Sequence, residues 1–558
     1  MIKVFNIFKK NVSSIHHAAF WLGFFAIISG FLGLFRDRLL AGEFGASRIL
    51  DIYYSAFRVP DFLYTLMLFM TSATAIIPLF VERWETGKEK AADFFGSLML
   101  FFSFTVFIFS AVFFLFMPQI IEFLFPGFSI NDKQTVVFLS RIMLFSPIFL
   151  GFSNLISGVT QTFKRFFAFA LSPVFYNLGI IIGFFIFVPI FGVNGLVFGV
   201  ILGAFLHMGI QIPSLIGIEL NFGFKKFNFS DIKKVVLISV PRTVGLAVNQ
   251  ISIMVFTVVA STLSSGSIAV FNLAQNLGYI PVTVIGLSYS VAAFPALSSF
   301  SLRKEKNEFL EHFSSAFRHI VFWTLPFSAL VLILRAQIVR VILGSGAFSW
   351  QDTRLTAASL FLLSLSVVFQ SLFLLLVRSF YAEGETKKTL VVNIVSMATS
   401  IGIMFYFLKL LEPLSPFANT LSALLDISDI VDIRVLALSI GILIGSALNF
   451  VLLLFVFKMT FGWFPIGKTQ KSLFQIFLGS LVGALMAYFG LNIFSSVFNL
   501  HTFSGIFLQG FFSGILGILA ICAVLYFTKN KEFFEVLESF KTTIWRDRIP
   551  APEPEKLP

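Results

Sequence analysis

Charged side chains set within long apolar runs are the residues of this sequence with the most chemical reach. Residues 33–63 read GLFRDRLLAGEFGASRILDIYYSAFRVPDFL and bring together Arg36, Asp37, Arg38, Asp51, Arg58 and Asp61. Ions at membrane depth are costly, and they face a cavity or one another. An arginine there can bind a phosphate oxygen pair through its planar donor fork. The bland reading of the same segment is an external loop of solvated ion pairs with a structural Arg58–Asp61 pair. Pro60 lacks an amide proton, so it is expected to bend its helix and free carbonyls toward a cavity. A second arginine of interest is Arg242, in the sequence Val240-Pro241-Arg242. It either snorkels to the membrane surface or faces a cavity and binds phosphate. Arg378 reads as an interfacial anchor, and His207 as a hydrogen-bonded packing group. No GxxxxGK[ST] or HExxH sequence occurs, and no other catalytic constellation is visible, so a non-enzyme is expected.

The elements that must hold these residues follow from hydropathy. Of 558 residues, 57% are hydrophobic and 12% charged, too few charges to cover a water-facing surface. Mean hydropathy is +0.93. Runs of roughly 20 apolar residues span a bilayer as helices. Fourteen such spans are predicted, at 18–35, 52–80, 92–117, 135–160, 167–189, 192–216, 235–262, 268–300, 313–333, 356–381, 390–408, 435–457, 473–494 and 503–527. The expected fold is therefore an all-α polytopic membrane protein. The first span is too long for a signal-peptide core and is expected to remain. Cys522 is the single cysteine, which excludes an internal disulfide.

The net charge of +12 sits in short clusters between spans. That pattern suits membrane topology better than nucleic acid. Loops on the N-terminal side carry Arg83, Lys88, Lys90, Lys164, Arg165, Lys225, Lys226, Lys233, Lys234, Arg303, Lys304, Lys306, Lys387, Lys388, Lys458, Lys468 and Lys471. The opposite set is poor in Lys and Arg, and its longest member, 412–434, carries Asp426, Asp429 and Asp432. Lys/Arg-rich loops stay in the cytoplasm, so both termini are expected there. Arg36, Arg38 and Arg48 break this rule and invite a functional explanation.

A weak internal repeat follows. Pro78 in SATAIIPLF and Pro295 in SVAAFPALS lie 217 residues apart, as do Phe163 and Phe380 after the fourth and tenth spans. Six spans separate the copies, so both keep one orientation. Parallel halves of this kind hold substrate between lobes and rock to alternate access. The expected division is an N-terminal lobe (1–217), a cytoplasmic interfacial linker (218–234), a C-terminal lobe (235–459) and two further helices (460–527). Residues 528–558 are expected to form a cytoplasmic amphipathic helix, KEFFEVLESF, and a Pro-rich disordered tail. In the second lobe, the spans numbered seven, eight, eleven and twelve contain no carboxylate in their central parts. No proton or sodium site is therefore visible there.

The segment FLGLFRDRLLAGEFGASRILDIYYSAFRVPDFL followed by TSATAIIPLF resembles the MurJ/MviN family of the multidrug and oligosaccharidyl-lipid exporter group. So does its second-lobe counterpart, PRTVGLAVNQISIMVFTVVASTLSSGSIAVFNLA then IPVTVIGLSYSVAAFPALS. The likeness covers nearly the whole chain. It implies a two-lobed flippase that moves lipid II from the inner to the outer leaflet through a cationic cavity, leaving the polyprenyl tail in lipid. It implies partners that are a lipid-linked cell-wall precursor, membrane lipids and envelope-synthesis enzymes. It implies no cofactor, and leaves a coupling ion or the membrane potential open. Arg36, Ala41 and Asp51 match positions that the family links to transport, and Arg58, Asp61 and Arg242 join them as candidates. Where family members carry cavity arginines, Gly30, Tyr64 and Asn276 stand here. Arg242 is a candidate replacement, and a cargo with less phosphate charge is the competing explanation. The other readings are export of a different lipid-linked saccharide, small-molecule antiport, and a scaffold for envelope enzymes.

Overall fold

The computed structural model describes residues 15–71, 73–218, 227–463 and 466–545. Every regular element among them is helical. In chain order these are α1 (Ile15–Phe44), α2 (Arg48–Ala56), α3 (Arg58–Thr71), α4 (Ala73–Thr86), α5 (Lys88–Leu124), α6 (Ile130–Met143) and α7 (Phe145–Thr162). There follow α8 (Phe166–Phe191), α9 (Val193–Gly209), α10 (Phe229–Ser261), α11 (Ser267–Pro281), α12 (Ser288–Arg303), α13 (Lys306–Leu343) and α14 (Trp350–Ala382). The last are α15 (Thr386–Leu410), α16 (Pro416–Leu425), α17 (Leu436–Phe461), α18 (Ile466–Ser495), α19 (Phe503–Phe527) and α20 (Lys531–Trp545). Thirteen segments among the described residues are long and apolar enough to cross a membrane. The remaining expected span, 18–35, falls within α1.

Several spans are broken rather than continuous. The second is divided at Phe57, where α2 ends and α3 begins with Arg58. Pro60 then sits in the first turn of α3, where its missing amide proton leaves no hydrogen bond unmade. The fourth is divided at Leu144, and the eighth passes through a π-helical turn, Val282–Leu287, after Pro281. The expected external loop 412–434 contains a helix of its own, α16. Part of the expected linker, 219–226, and the tail from 546 onward lie outside the described residues.

The contacts divide the chain into two units, each assembled from separate stretches. The first comprises Met1–Leu277, Ile342–Ser359 and Asn393–Gly445, the second Gly278–Val341, Leu360–Val392 and Ser446–Pro558. Lipid contact explains their outer surfaces: Phe107 on α5 is 70% exposed, a placement that hydrocarbon tolerates and water does not.

Within the first unit, α8 and α9 meet through two small-residue pairs. A Cβ on Gly179 would lie 2.3 Å from Gly203 Cα, and one on Gly183 2.2 Å from Gly199 Cα. Such spacing lets backbones approach where no hydrophobic effect drives helices together. Trp21 and Phe25 of α1 pack on Phe167 of α8, with ring centroids 5.3 and 5.5 Å away. Arg83 on α4 grips Asp231 in the first turn of α10 through Nε (2.9 Å) and Nη2 (2.5 Å).

In the second unit a phenylalanine cluster joins α13, α14 and α17, with Phe313 and Phe457 rings 4.3 Å apart. The C-terminal helix α20 was expected to be amphipathic and to lie at the surface. Its polar residue Glu532 is in fact fully buried, accepting from Arg318 Nε and Ser472 Oγ, each at 2.5 Å. Burial pushes the Glu532 carboxyl up, but the Ser472 hydroxyl and Arg318 guanidinium outweigh it and hold the group below the usual carboxylate range. A carboxyl lowered in the folded state contributes stability above its unfolded pKa, and that contribution is lost as pH falls through the folded value. The protection of the α20 amides, read as intrinsic over observed exchange rate at each pH, should therefore fall as wild type is acidified from neutral pH. Glu532→Gln should show lower protection already at neutral pH and little further change in protection on acidification.

Candidate functional site

The charged segment singled out by sequence converges in the first unit on one face of α11. Three polar contacts follow that helix from its N-terminus. Asp51, 1% exposed, accepts from the backbone N–H of Gly266 (2.7 Å) and of Ala269 (2.9 Å). These are amides that a helix N-terminus leaves without intrahelical partners, and the carboxylate also complements the positive end of the helix dipole. Gly266 has φ +90°, and a Cβ there would lie 2.0 Å from the Ala46 carbonyl oxygen, so glycine is required for this approach.

Asn272 Oδ1 then accepts from Arg58 Nη2 at 2.6 Å, while its own Nδ2 donates to Ile268 O. One turn further, Asn276 Nδ2 donates to Asp37 Oδ2 at 2.9 Å. Asp37 Oδ1 in turn accepts from Arg36 Nε (3.0 Å) and Nη2 (2.8 Å). Arg36 Nη1 donates to Asn177 Oδ1 on α8 at 3.1 Å, and Asn177 Nδ2 donates back to Ser29 Oγ on α1. Three of the five guanidinium N–H groups of Arg36 are thus engaged, and its side chain keeps 23% exposure. The remaining donors are available to an anion.

The predicted residues have separate placements. Arg36 keeps open donors on a partly exposed side chain. Asp51 is buried as a cap for α11. Ala41 is fully buried. Arg58 is buried against an amide, with Nε lacking any protein acceptor. Asp61 stands one turn beyond Arg58, and the structural Arg58–Asp61 ion pair is not formed among the described residues. The side chain of Arg242 lies outside the described residues. Arg38 donates to Ile342 O, and Arg48 reaches Asp51 (3.7 Å) and the Phe128 ring, so the basic cluster that breaks the loop rule is internally partnered. Arg378 lies over the Phe294 ring, and His207 Nδ1 shares a hydrogen bond with Ser153 Oγ at 2.8 Å.

Of the positions that lack family arginines, Asn276 holds Asp37 and Tyr64 accepts from Asn154 Nδ2 (3.0 Å), while a Cβ at Gly30 would meet nothing within 4 Å. Sequence reasoning missed Asn177 and Asn272. The four-residue spacing of Asn272 and Asn276 and the lone amide inside the α8 apolar run were the available signals.

Many membrane-spanning helices, with a network of ions buried among them beneath a guanidinium with free donors, define a polytopic membrane transporter. Comparison with known proteins narrows this class. The profile of the family "Lipid II flippase MurJ" matches residues 40–428. Probable lipid II flippases MurJ of two Buchnera aphidicola subspecies are similar. That of Schizaphis graminum is 29% identical over 399 residues, 70% of this chain and 76% of its own. That of Acyrthosiphon pisum is 27% identical over 489 residues, 84% of this chain and 95% of its own. In fold, the chain resembles a solved lipid II flippase MurJ in an inward closed conformation, with TM-score 0.71, 24% identity and coverage of 94% of this chain and 99% of that one. It also resembles an inward-facing MATE multidrug transporter of the MOP superfamily, with TM-score 0.63, 16% identity and coverage of 78% and 94%. The chain belongs to the lipid II flippase MurJ family.

Asp51→Ala orphans two buried amides, each worth about 1–3 kcal/mol. The variant should melt well below wild type in detergent, and Asp51→Asn, which keeps one acceptor oxygen, should fall between them.

Proposed function

We propose that this protein flips lipid II, a polyprenyl-pyrophosphate-linked peptidoglycan precursor, from the inner to the outer leaflet of the bacterial cytoplasmic membrane. Family membership supports the cargo. The observation that carries the reading at residue level is Arg36, a partly exposed guanidinium whose orientation is fixed by Asp37 and Asn177 and which keeps donors for a phosphate oxygen pair. Asp51, Arg58 and Ala41 act as positioning residues, and Arg242 supplies a second cation. Alternating access between two repeat-related lobes, with the lipid tail outside in the bilayer, is the transport mode. Both termini face the cytoplasm, as the Lys/Arg-rich loops require, and envelope-synthesis enzymes are the natural partners.

One observation favours a second reading, export of another lipid-linked saccharide with less phosphate charge. Gly30, Tyr64 and Asn276 carry no charge, and Asp37 offsets the charge of Arg36.

Complementation in a bacterial strain depleted of its own lipid II flippase separates the two readings. Wild type should restore growth, and Arg36→Ala, at equal membrane levels, should not. Restored growth by Arg36→Ala would remove this residue from the transport argument, and failure of wild type would favour the other cargo. Single cysteines placed in 412–434 should be alkylated from outside intact cells. Labelling only after lysis would reverse the orientation.

A further inference from the structure

A second polar site lies within the first unit, beside the Arg36 network. Asp61, in the first turn of α3, lines a cavity of about 20 Å³, which has room for roughly one water molecule. Tyr64, Ser146 and Tyr176 bring hydroxyls to the same cavity, while Phe57, Leu150 and Val200 supply apolar wall. The Tyr64 hydroxyl oxygen accepts from Asn154, which leaves its own O–H proton for an acceptor in the cavity. The Asp61 carboxylate has no hydrogen-bond or ion-pair partner among the described side chains. Its nearest cation on the same helix, Arg58, is turned to Asn272 instead. A carboxylate with neither partner, at membrane depth, is a configuration that a protein tolerates when the group exchanges charge with solvent.

We propose that Asp61 is the proton-binding site that couples this transporter to a pH gradient, an inference that rests on the lipid-transport reading and names its coupling ion. Hydronium supplies the proton: one of its O–H bonds breaks to leave water, and a carboxylate oxygen gains the O–H, giving a neutral acid with one donor. A wall of one carboxylate, three hydroxyls and apolar side chains suits a neutral acid beside a water. Asp61 also sits where its charge can act on conformation. Its amide donates to Phe57 O across the α2–α3 break, and a carboxylate in a first helical turn stabilises that turn through the helix dipole. Neutralising it weakens the start of α3, whose neighbour α2 carries the Asp51 cap of α11.

The ionisable groups around Asp61 are few. Arg58 and Tyr64 share its helix, Arg36 and Asp37 come from α1, Tyr53 from α2, Tyr176 from α8 and His207 from α9, edge-on to Tyr176. The described charged residues of α5 (Lys88, Glu89, Lys90, Asp93, Glu122) and of α10 (Asp231, Lys233, Lys234) lie in the terminal turns of those helices.

Infrared difference spectra of the purified full-length protein, recorded across a pH titration, test the site without any cargo. Wild type should gain a protonated-carboxyl band on acidification. Asp61→Asn should lose that band and Asp61→Glu should shift it, with circular dichroism confirming helical structure. An unchanged band in Asp61→Asn would overturn the proposal. Should that variant not fold, Tyr64→Phe keeps the carboxylate and is expected to displace the band's midpoint, and an unmoved midpoint would count against the site. In liposomes carrying labelled lipid II, wild-type flipping should change several-fold with the sign of an imposed pH gradient, and Asp61→Asn should not respond to it. Flipping driven by a sodium gradient alone would overturn the proton assignment. An intact Asp61 band in a wild-type protein that moves no lipid II would overturn the transport reading and leave the proton site standing.

Discussion

The N-terminus of α11 presents free amides at buried residues, Gly266 and Ala269, where a protein acceptor has to satisfy them. Asp51 meets two of them from a helix more than two hundred residues earlier in the chain. That single carboxylate fixes where α11 begins relative to α2, and two further contacts depend on the register it sets. Asn272 and Asn276 follow at helical spacing, so one meets Arg58 and the other Asp37. Gly266 completes the constraint, because any side chain there would collide with the Ala46 carbonyl. The polar ladder is costly to assemble piecemeal and cheap once α11 is seated, which makes its members interdependent.

The ladder also shapes the chemistry of Arg36. Asp37 offsets its charge and orients its fork, so what remains is a set of directed donors more than a strong positive field. Asn276 tightens this arrangement by holding the far oxygen of Asp37. Gly30 marks a place on the same helix where the protein leaves open space instead of a side chain.

Polar anchoring recurs at the other end of the chain. Glu532 ties α20 to α13 and α18 through Arg318 and Ser472, so the C-terminal helix docks by a buried ion pair rather than by its apolar stripe alone. Replacing either partner singly would leave an uncompensated buried charge, the costly case for such pairs.

The sequence alone determined the class of this protein. Long apolar runs can be satisfied only as bilayer-spanning helices, so the all-helical polytopic fold was legible from composition and period. The motif around Arg36 and Asp51 was legible for the same reason: charges in apolar runs stand out against a background where they are expensive. The tertiary structure decided the partners. Asp51 pairing with Gly266, Arg58 with Asn272 rather than Asp61, Asn177 with Arg36 and Glu532 with Arg318 all join residues far apart in the chain. Spacing along one helix says which residues share a face, but only packing fixes how that helix is rotated and which distant group the face meets.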